Sequence, residues 1–460
     1  MTHEITIRPG GAYDLIVAGG GMSGVSCAIA AARQGLKVLL VEKENCLGGT
    51  ASASGVMHLL GGRRYDAEKD CMVREVGGLF DEMTDELIAM GYAVDPDTID
   101  VHHNNPFGWY PRMAAGVACD VDFLKYYLEH KCLDAGVTIR YGMTVVDAVM
   151  AGAALRSLIV HGKEGFLSLE ATLFADCTGD ADVAALCGCP TQLGREEDNA
   201  CCPATLMFYV DGVDGDAYVA YQNEHQSPKL VEIIEQLKKD GQWPYPFEIF
   251  IAIQTPAKDV FMVNTVRQTE VDGTSSASLT HAVMDGRRLA YELTAIMRQH
   301  FPGFANARVC RIFDRMGVRE SRRILAREMI SLQDALEGRH WEDCVASTTY
   351  NFDLPDPKRP SYDAMMGDVK KPHAARKHTV IEIPYGALLP QGADNLIVAG
   401  RCLGAAREVM GACRVMGPCT GMGQAAGYAA KLALAGGRFD AVDAQTLRAW
   451  LKRDGCIGCR

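Results

Sequence analysis

The residues best suited to chemistry near the N-terminus are three glycines followed at a fixed distance by one acid. Gly19, Gly21 and Gly24 occur in the run GGGMSG directly after the apolar segment DLIVA, and Glu42 follows the next apolar segment, KVLLV. Glycines at this spacing permit a tight turn, close approach of the backbone to a pyrophosphate, and close packing of a helix on a strand. The acid can accept hydrogen bonds from ribose hydroxyls and would repel a 2′-phosphate. The pattern therefore predicts a dinucleotide site that disfavours NADP.

A strand, a helix and a second strand must position this site. Asp14–Ala18 and Lys37–Val41 are short apolar runs typical of buried strands. Val25–Gln34 is rich in alanine and is followed by a glycine, which is typical of a helix and its C-terminal end. The three elements predict one βαβ unit, in which Met22 and Ser23 at the start of the helix lie at the phosphates.

Composition argues against several other classes of protein. The chain has 460 residues, of which 48% are hydrophobic and 23% charged, and no apolar run is long enough to span a bilayer. Its net charge is −12 without any lysine or arginine block, so nucleic acid is not an expected partner. The start of the chain lacks a secretory signal pattern, and the 17 cysteines are scattered through apolar segments, so a cytoplasmic location is expected. The cysteine spacing matches neither a zinc nor an iron–sulfur site, and no metal is expected.

The segment after the second strand extends the prediction from a dinucleotide to FAD. EKENCLGGTAS, residues 42–52, resembles the corresponding stretch of FAD-dependent oxidoreductases that have the glutathione-reductase type of Rossmann fold. The resemblance implies that the FAD lies along Lys43, Gly48, Gly49 and Thr50. A glycine loop without a ligand is the alternative for this segment.

The middle of the chain contributes two further contacts. Two strands are predicted within residues 137–149, and Val146 is expected beside the adenine. The next predicted strand leads into CTGD, which resembles the ATGD element that returns beneath FAD in this fold. The resemblance places Thr178, Gly179 and Asp180 at the cofactor.

The C-terminal part of the chain contains the segments whose resemblance to the family implies contact with the flavin ring. NLIVAGRC and the small-residue segment GACRVMGPCTGMGQAAGYAA are similar to the last flavin-contacting strand and helix of that oxidoreductase family, with Gly400 and Arg401 at the cofactor. A helix expected to start near Thr420 would direct its N–H groups at the flavin, where charge develops on reduction. Gly417 and Gly421 would keep side chains away from the ring. Packing of small residues between two helices is the alternative.

These elements predict an α/β fold, in which an FAD-binding, Rossmann-like domain built on a doubly wound parallel sheet carries an inserted α+β substrate or cap domain. The FAD-binding domain is expected to be discontinuous, over residues 1–60, 119–204 and 379–460. Residues 61–118 would form a lid segment, and residues 205–378 the cap.

Helical patterns are predicted both at the edge of the FAD-binding domain and in the cap. The spacing of apolar residues predicts helices over Asp120–Leu133, Leu230–Lys239, Thr280–Gln299 and Val318–Asp334. The last of these includes the charged segment GVRESRRI, which is also similar to the oxidoreductase family.

Four residues are candidates for catalysis. His58 follows the loop GGTASASG, and packing or a surface position is its alternative role. Tyr110 and Arg112 occur in an aromatic, proline-bearing loop typical of a substrate lid, although an ordinary surface loop has the same composition. Arg407 stands where many relatives have the histidine of GRCxSATHE. Because arginine stays protonated, it is suited to holding a substrate carboxylate or carbonyl oxygen and not to acting as a base.

The resemblance implies a flavoprotein enzyme, an FAD-dependent oxidoreductase that transfers a hydride between FAD and a small organic substrate and so forms or reduces a C=C or C=O bond. The alternative is an electron-transfer subunit that works with a redox protein partner, through the terminal pair Cys456 and Cys459. Since the chain has one dinucleotide fingerprint, its electrons come from the substrate, a redox partner or NADH. The sequence leaves open which of them supplies the electrons, and whether the protein is a homodimer.

Overall fold

The helices of the computed structural model are named in chain order. The structure describes residues 4–108, 115–362 and 379–457, so that Tyr110, Arg112 and Cys459 lie outside the described residues. Within these ranges the helices are α1 (Met22–Arg33), α2 (Gly78–Ala89), α3 (Val121–Asp134), α4 (Asp182–Leu186), α5 (Gly215–Glu224), α6 (Val231–Lys239), α7 (Ser276–His300), α8 (Leu332–Glu337), α9 (Arg407–Cys413), α10 (Met416–Ala433) and α11 (Ala444–Arg453).

The strands form one large sheet and several small ones. In the described ranges they are β1 (Ile7–Ala18), β2 (Val38–Val41), β3 (His58–Leu59), β4 (Arg63–Asp66), β5 (Cys71–Arg74), β6 (Val117–Ala118), β7 (Thr138–Arg140), β8 (Thr144–Ala151), β9 (Ala154–Gly162), β10 (Gly165–Asp176), β11 (Thr191–Leu193), β12 (Ala204–Thr205), β13 (Phe208–Asp211), β14 (Ala252–Gln254), β15 (Phe261–Val263), β16 (Arg267–Gln268), β17 (Arg308–Ile312), β18 (Arg322–Ile324), β19 (Cys344–Thr348), β20 (Ile381–Pro384) and β21 (Leu396–Val398).

The large sheet has a parallel centre and an antiparallel edge. β1 lies between β2 and β10, β7 pairs with β2, and β21 pairs with the C-terminal end of β10, all in parallel. Counted along the chain, these five parallel strands lie in the order 3-2-1-4-5, the order of dinucleotide-binding sheets. β9 and β8 continue the sheet in antiparallel pairs beside the first half of β10. The predicted α/β fold with a Rossmann-like parallel sheet is confirmed.

The central strand is covered by protein on both faces. Leu15 and Val17 of β1 belong to the core that contains α1 and α10, whereas Ile16 and Ala18 belong to the core on the side of β8, β9 and α4. Strands buried on both faces are apolar at every position and do not alternate. This burial explains the continuous run LIVA that ends at the glycine turn.

The contact between α1 and α10 is set by glycines. A Cβ atom at Gly423 would lie 2.1 Å from the carbonyl oxygen of Ser23, and one at Gly427 would lie 2.4 Å from that of Cys27. The Ser26 hydroxyl also donates a hydrogen bond of 2.9 Å to the Thr420 carbonyl. The small residues in the middle of the C-terminal helix therefore serve helix packing, which was the alternative interpretation of their spacing.

The second core belongs to the cap. Strands β14, β15, β13 and β17 form an antiparallel sheet in that order. Helices α5, α6 and α7 contribute to the same core, in which the rings of Phe250 and Tyr218 meet that of Phe304 edge to face. This part is α+β, as predicted, while the residue boundaries of the domains stay predictions.

Three of the predicted helices are confirmed and one is wrong. α3, α6 and α7 agree with the predicted helices within a few residues, and Asp120 caps α3 by accepting hydrogen bonds from two backbone N–H groups. Val318–Asp334 is not one helix: it contains β18, which pairs with β11, and the start of α8. No helix in the described ranges is long and apolar enough to cross a membrane.

The charged residues of GVRESRRI explain why the helix predicted over Val318–Asp334 does not form. The Arg323 guanidinium donates to the carbonyl of Gly194 at 2.7 Å, while Arg322 donates to the carbonyl of Asp180 at 2.8 Å. Extended backbone sends successive side chains to opposite faces, so that neighbouring arginines can each reach a separate internal acceptor. The many charges of this segment are thus satisfied inside the protein and not by solvent around a helix.

Candidate functional site

A cavity of about 1260 Å³ lies at the carboxyl ends of the parallel strands. Gly19 after β1, Glu42 after β2, Thr178 after β10 and Arg401 after β21 all line it. Ligands of open α/β sheets bind at this edge, where the connections from neighbouring strands diverge. The volume exceeds the roughly 300–1,000 Å³ typical of a pocket for one drug-sized ligand. The cavity can therefore hold a dinucleotide together with a second molecule.

The three glycines of the turn differ in their surroundings. Gly19 has φ +96°, and a Cβ there would lie 2.5 Å from the carbonyl oxygen of Cys177. At Gly24 a Cβ would lie 1.8 Å from the Gly19 carbonyl oxygen, so this glycine is required for close packing of α1 on the turn. At Gly21 a Cβ would meet no protein atom within 4 Å, and Gly21 lines the cavity. The open space at Gly21 is where a pyrophosphate can approach the backbone.

The start of α1 is suited to an anion. Its N-cap residue is Gly21, which has no side chain to cap the helix, and Met22 and Ser23 line the cavity. The first N–H groups of a helix lack partners within the helix, and the positive end of its dipole lies there. Met22 and Ser23 therefore lie where the phosphates of a dinucleotide would be held.

Glu42, the acid after β2, is buried and is held in place by backbone hydrogen bonds. Its oxygens accept hydrogen bonds from the backbone N–H groups of Gly20 at 2.6 Å and Glu44 at 2.9 Å. Because each carboxylate oxygen can accept more than one hydrogen bond, Glu42 can still receive a ribose hydroxyl. Lys43, Gly48, Gly49 and Thr50 line the same cavity.

The structure separates two neighbouring valines at the position expected for adenine. Val145 lines the cavity together with Met143 and Thr144, whereas Val146 is 39% exposed and is not part of the wall. The pairing of β8 with β9 is irregular between Val145 and Asp147, and such an irregularity changes the direction of the side chains, so the sequence pattern does not decide which valine faces the cavity.

The element after β10 places two residues on the wall and one behind it. Thr178 and Gly179 line the cavity, whereas Asp180 is buried and forms a salt bridge of 2.7 Å with Arg401. Burial alone would raise the pKa of Asp180, but the guanidinium of Arg401 and the hydroxyl of Ser321 hold it below its usual range. Asp180 therefore positions Arg401, which does lie on the wall.

The C-terminal helix starts four residues earlier than the sequence predicted, at Met416. Val415, Met416 and Cys419 line the cavity, so the N-terminus of α10 lies at its wall. The Gly417 N–H already donates to the Leu60 carbonyl at 2.9 Å, and Thr420 is fully buried beside α1, so the predicted contact of this helix with the flavin stays a prediction.

Two predicted glycines of the C-terminal segment serve packing. A Cβ at Gly417 would lie 2.4 Å from the backbone of Gly61. Gly400 has φ +110°, and a Cβ there would lie 2.7 Å from the Ser23 hydroxyl oxygen. A Cβ at Gly421 would make only ordinary contacts, at 3.4 Å from Val76 and 3.5 Å from Ala346. The residues that line the cavity do not include these three glycines.

Two of the catalytic candidates lie inside the protein and not on the cavity wall. His58 is 1% exposed, in β3. The Arg407 guanidinium forms a buried pair with Glu320, with nitrogen to oxygen distances of 2.7 and 2.9 Å. The structure does not bring either residue to the cavity, and their catalytic roles stay predictions. Tyr110 and Arg112 belong to the segment outside the described residues.

Burial of His58 predicts a specific pH dependence. It lowers the pKa of His58 from 6.5 to about 4, so the unfolded chain takes up a proton at a pH where the folded protein does not. Stability should be fully present above pH 6.5 and decline towards pH 4, by up to about 3 kcal/mol from this group. His58→Leu should flatten the decline of the urea-unfolding free energy over this range, whereas His103→Gln, an exposed histidine, should not. An unchanged decline in His58→Leu would contradict the assignment.

Several cavity residues were missed by sequence reasoning. Arg267, Arg315 and Lys229 line the cavity, and Arg319 and Arg414 do so as well. Arg319 lies in the charged segment GVRESRRI, and Arg414 lies in the small-residue segment that resembles the flavin-contacting helix, but neither pattern marks an arginine of the cavity wall. No spacing relates Arg267 or Lys229 to the glycine turn, so no sequence signal could have found them.

The sheet order, the helix start and the acid at the cavity define a dinucleotide-binding protein. The chain belongs to the FAD dependent oxidoreductase family, whose family model matches residues 14–451. Its cofactor is accordingly FAD, and the protein is an oxidoreductase. The residues present fit this group, since the cavity has open space at Gly21 and an acid after β2. The narrower resemblance to the glutathione-reductase type stays a prediction.

Two curated relatives align with part of the chain. Glycerol-3-phosphate dehydrogenase 1 of Mycobacterium bovis is 30% identical over 182 residues, which cover 34% of this chain and 35% of the relative. The protein of the same name from Mycobacterium tuberculosis matches with the same values, 30% identity over 182 residues. The chain thus spans about a third of the length of the curated relatives that it matches.

Solved structures resemble the chain over nearly its whole length. A variant of the flavin-dependent brominase Bmp2 has a TM-score of 0.50 and 12% identity, and the match covers 95% of this chain and 84% of that chain. A geranylgeranyl bacteriochlorophyll reductase-like protein from Thermoplasma acidophilum has a TM-score of 0.48 and 12% identity, covering 96% of this chain and 84% of that chain. The likeness to the brominase supports the fold alone.

Proposed function

We propose that this oxidoreductase transfers a hydride between FAD and a small organic substrate, in a dehydrogenation or in the reduction of a C=C or C=O bond. The observation that carries the proposal is the continuity of one cavity from the glycine turn, past the N-terminus of α10, to residues of the cap. FAD, when bound, supplies the acceptor or donor of two electrons. Residues of the cap form the walls beyond the dinucleotide site. A protein that only bound the cofactor would not need this additional enclosed space.

The chain can shield this reaction from water. The hairpin of β4 and β5 covers one side of the cavity, to which Arg64, Tyr65 and Asp66 contribute. Arg64 forms a salt bridge of 2.9 Å with Glu75, and the Thr349 hydroxyl donates to the same carboxylate. These contacts join the hairpin to the segment after β19, so that two walls of the cavity are held together. Exclusion of water strengthens electrostatic interactions at a reacting group.

The names of the curated relatives agree with hydride transfer, because a dehydrogenase acting on an alcohol carbon removes a hydride from it. The aligned third of those proteins does not carry their substrate over to this chain. The electron donor or acceptor therefore remains the substrate itself, a redox partner or NADH. The Cys456 backbone lies beside Gly77 and not on the cavity wall, which gives the electron-transfer alternative no support from the described residues.

Anaerobic spectroscopy tests the proposal. The FAD-loaded protein is mixed with small alcohols and hydroxy acids, and, after reduction with dithionite, with carbonyl compounds and α,β-unsaturated compounds. One class should bleach the absorbance of the oxidised flavin or restore it, at a rate that saturates with substrate. Free FAD, mixed with the same compounds, controls for flavin reactions that do not need the protein. A flavin that exchanges electrons with NADH or a redox protein but with no small organic molecule would overturn the proposal.

A further inference from the structure

The part of the cavity beside the start of α10 has a cationic wall. Arg414 immediately precedes Val415, the N-cap residue of α10, and lines the cavity together with Arg267 and Arg319. Arg319 lies two residues after Gly317, which forms an isolated bridge with Thr205. Arg267 is the first residue of β16 in the cap. Three separate segments thus place guanidinium groups at the end of the cavity where the helix dipole is also positive.

Arg319 differs from Arg401, Arg407 and Arg414 in its partners. Arg401, Arg407 and Arg414 each form a salt bridge, with Asp180, Glu320 and Asp353 respectively. Arg319 instead donates to three neutral acceptors, the carbonyl of Pro203 at 2.8 Å, the hydroxyl of Thr205 at 2.7 Å and the amide oxygen of Asn264 at 3.0 Å. Among the described residues no carboxylate forms a salt bridge with it. Its charge is therefore positioned firmly but is not neutralised by a direct partner.

The surroundings of Arg319 are positive overall. Burial lowers the pKa of Arg319 to about 9, and the charge of Arg267 acts in the same direction, as does that of Arg414. The charge of Asp353 opposes this change but does not cancel it. Like charges close together in a partly desolvated site are unfavourable unless an anion joins them. An anionic ligand would relieve this repulsion.

The donors left on Arg319 match a planar acceptor with two oxygens. A guanidinium has five N–H donors, of which the protein uses two on Nη1 and one on Nη2. Within the described structure, the Nε–H group and one Nη2–H group remain for a ligand. A carboxylate can accept two parallel hydrogen bonds from such a pair.

The neighbouring wall is apolar. Met207, Ile249 and Ile251 line the same cavity, and the backbone N–H of Ile251 is already bonded to the hydroxyl of Thr265 at 2.8 Å. Such a wall favours a hydrocarbon group and offers few hydrogen bonds to a sugar or polyol.

We infer that the substrate is a small organic carboxylate, which Arg319 binds through two hydrogen bonds while its hydrocarbon part lies against Met207, Ile249 and Ile251. This inference rests on the proposed function, since it names the class of substrate for the same site. Arg267 and Arg414 add positive charge near the carboxylate, and the inference does not require either of them to contact it. Phosphate esters can also accept two hydrogen bonds from an arginine, so the binding of the two anions must be compared directly.

Binding to the FAD-loaded protein tests the inference without any turnover. Phenylacetate, phenylacetamide and benzyl phosphate are titrated at constant ionic strength, and binding is followed by calorimetry and by perturbation of the flavin spectrum. Phenylacetate should bind at least about tenfold more tightly than the amide, because only the carboxylate can pair with the guanidinium. Equal binding of acid and amide, or tighter binding of benzyl phosphate than of phenylacetate, would overturn the inference.

Two variants assign the effect to the residue. Arg319→Lys keeps the charge but loses the planar pair of donors, and it should weaken phenylacetate binding about tenfold while the FAD content stays unchanged. Arg308→Gln, an exposed position in the cap, should leave both unchanged. Loss of FAD from a folded Arg319→Lys protein would show that Arg319 binds the cofactor, and so overturn the inference. Should the lysine variant not fold, the comparison of acid with amide in the parent protein still decides. If carboxylates bind but no small molecule changes the flavin redox state, the proposed function fails while the anion site stands.

Discussion

Gly24→Ala is expected to lower the free energy of unfolding by about 3 kcal/mol or more and to abolish FAD binding. In an ordinary helix this substitution would stabilise the fold by roughly 0.5–1 kcal/mol, because glycine is a poor helix former. Here the added Cβ would lie 1.8 Å from the carbonyl oxygen of Gly19. That carbonyl cannot move aside, since Gly19 itself packs against the Cys177 backbone with φ +96°.

Gly21→Ala provides the matched comparison at the same turn. The added Cβ would meet no protein atom within 4 Å, and the φ of −69° at this position is allowed for any residue. The apoprotein should therefore unfold at nearly the same urea concentration as the parent. FAD binding should weaken at least tenfold, because the methyl group would take the space that the pyrophosphate needs.

Urea unfolding of the apoproteins and titration with FAD by flavin fluorescence measure the two effects separately. Gly436→Ala, at an exposed glycine with no atom within 4 Å of its Cβ, controls for the general effect of replacing glycine. A Gly24→Ala apoprotein as stable as the parent would refute the close packing of α1 on the turn. A Gly21→Ala protein that binds FAD as tightly as the parent would refute the position of the phosphates.

The sequence predicted the glycine turn because each of its requirements is local. Gly19, Gly21 and Gly24 are separated by a few bonds, and the strand and helix around them have simple patterns. The crowding at Gly24 arises within the turn, from the Gly19 carbonyl, whereas the crowding at Gly19 comes from the distant Cys177 backbone. Glu42 was predicted from a local pattern as well, because it directly follows the second strand.

Other parts depended on contacts that no local pattern contains. Val145 and Val146 are both apolar and both in β8, so composition could not say which one faces the cavity. Thr420 was chosen as a helix start from small residues whose packing partner, α1, lies almost 400 positions earlier in the chain. Arg319 and Arg267 meet at the cavity only after the cap has folded onto the sheet. The nucleotide part of the site was therefore predictable, while the substrate part was not.

Arg407 and Glu320 form the buried contact whose disruption should have the other large effect. The two side chains are 10% and 7% exposed, and two hydrogen bonds join them. Glu320 also accepts a hydrogen bond of 2.6 Å from the backbone N–H of Cys202. Arg407→Met would leave the carboxylate buried without its cation, and should cost about 3–5 kcal/mol of unfolding free energy.

A second substitution should restore most of this loss. In the double variant Arg407→Met with Glu320→Gln, no charge remains at this position, and the amide oxygen can still accept from the Cys202 N–H. The double variant should unfold within about 1–2 kcal/mol of the parent protein, although it contains more changes than the single variant. Urea unfolding at pH 7 measures all three proteins. A double variant as unstable as Arg407→Met would show that the guanidinium stabilises the fold through contacts other than this pair.

The same double variant separates the structural role of Arg407 from the role that its place in GRCLGAARE predicted. If Arg407 held the substrate, the variant would recover stability but not turnover, and KM would rise along with the loss of kcat. A residue that only braces Glu320 and the segment at Cys202 should instead lose turnover in proportion to folding, and regain it when the pair is neutralised. The burial of the ion pair behind the cavity wall favours this second outcome.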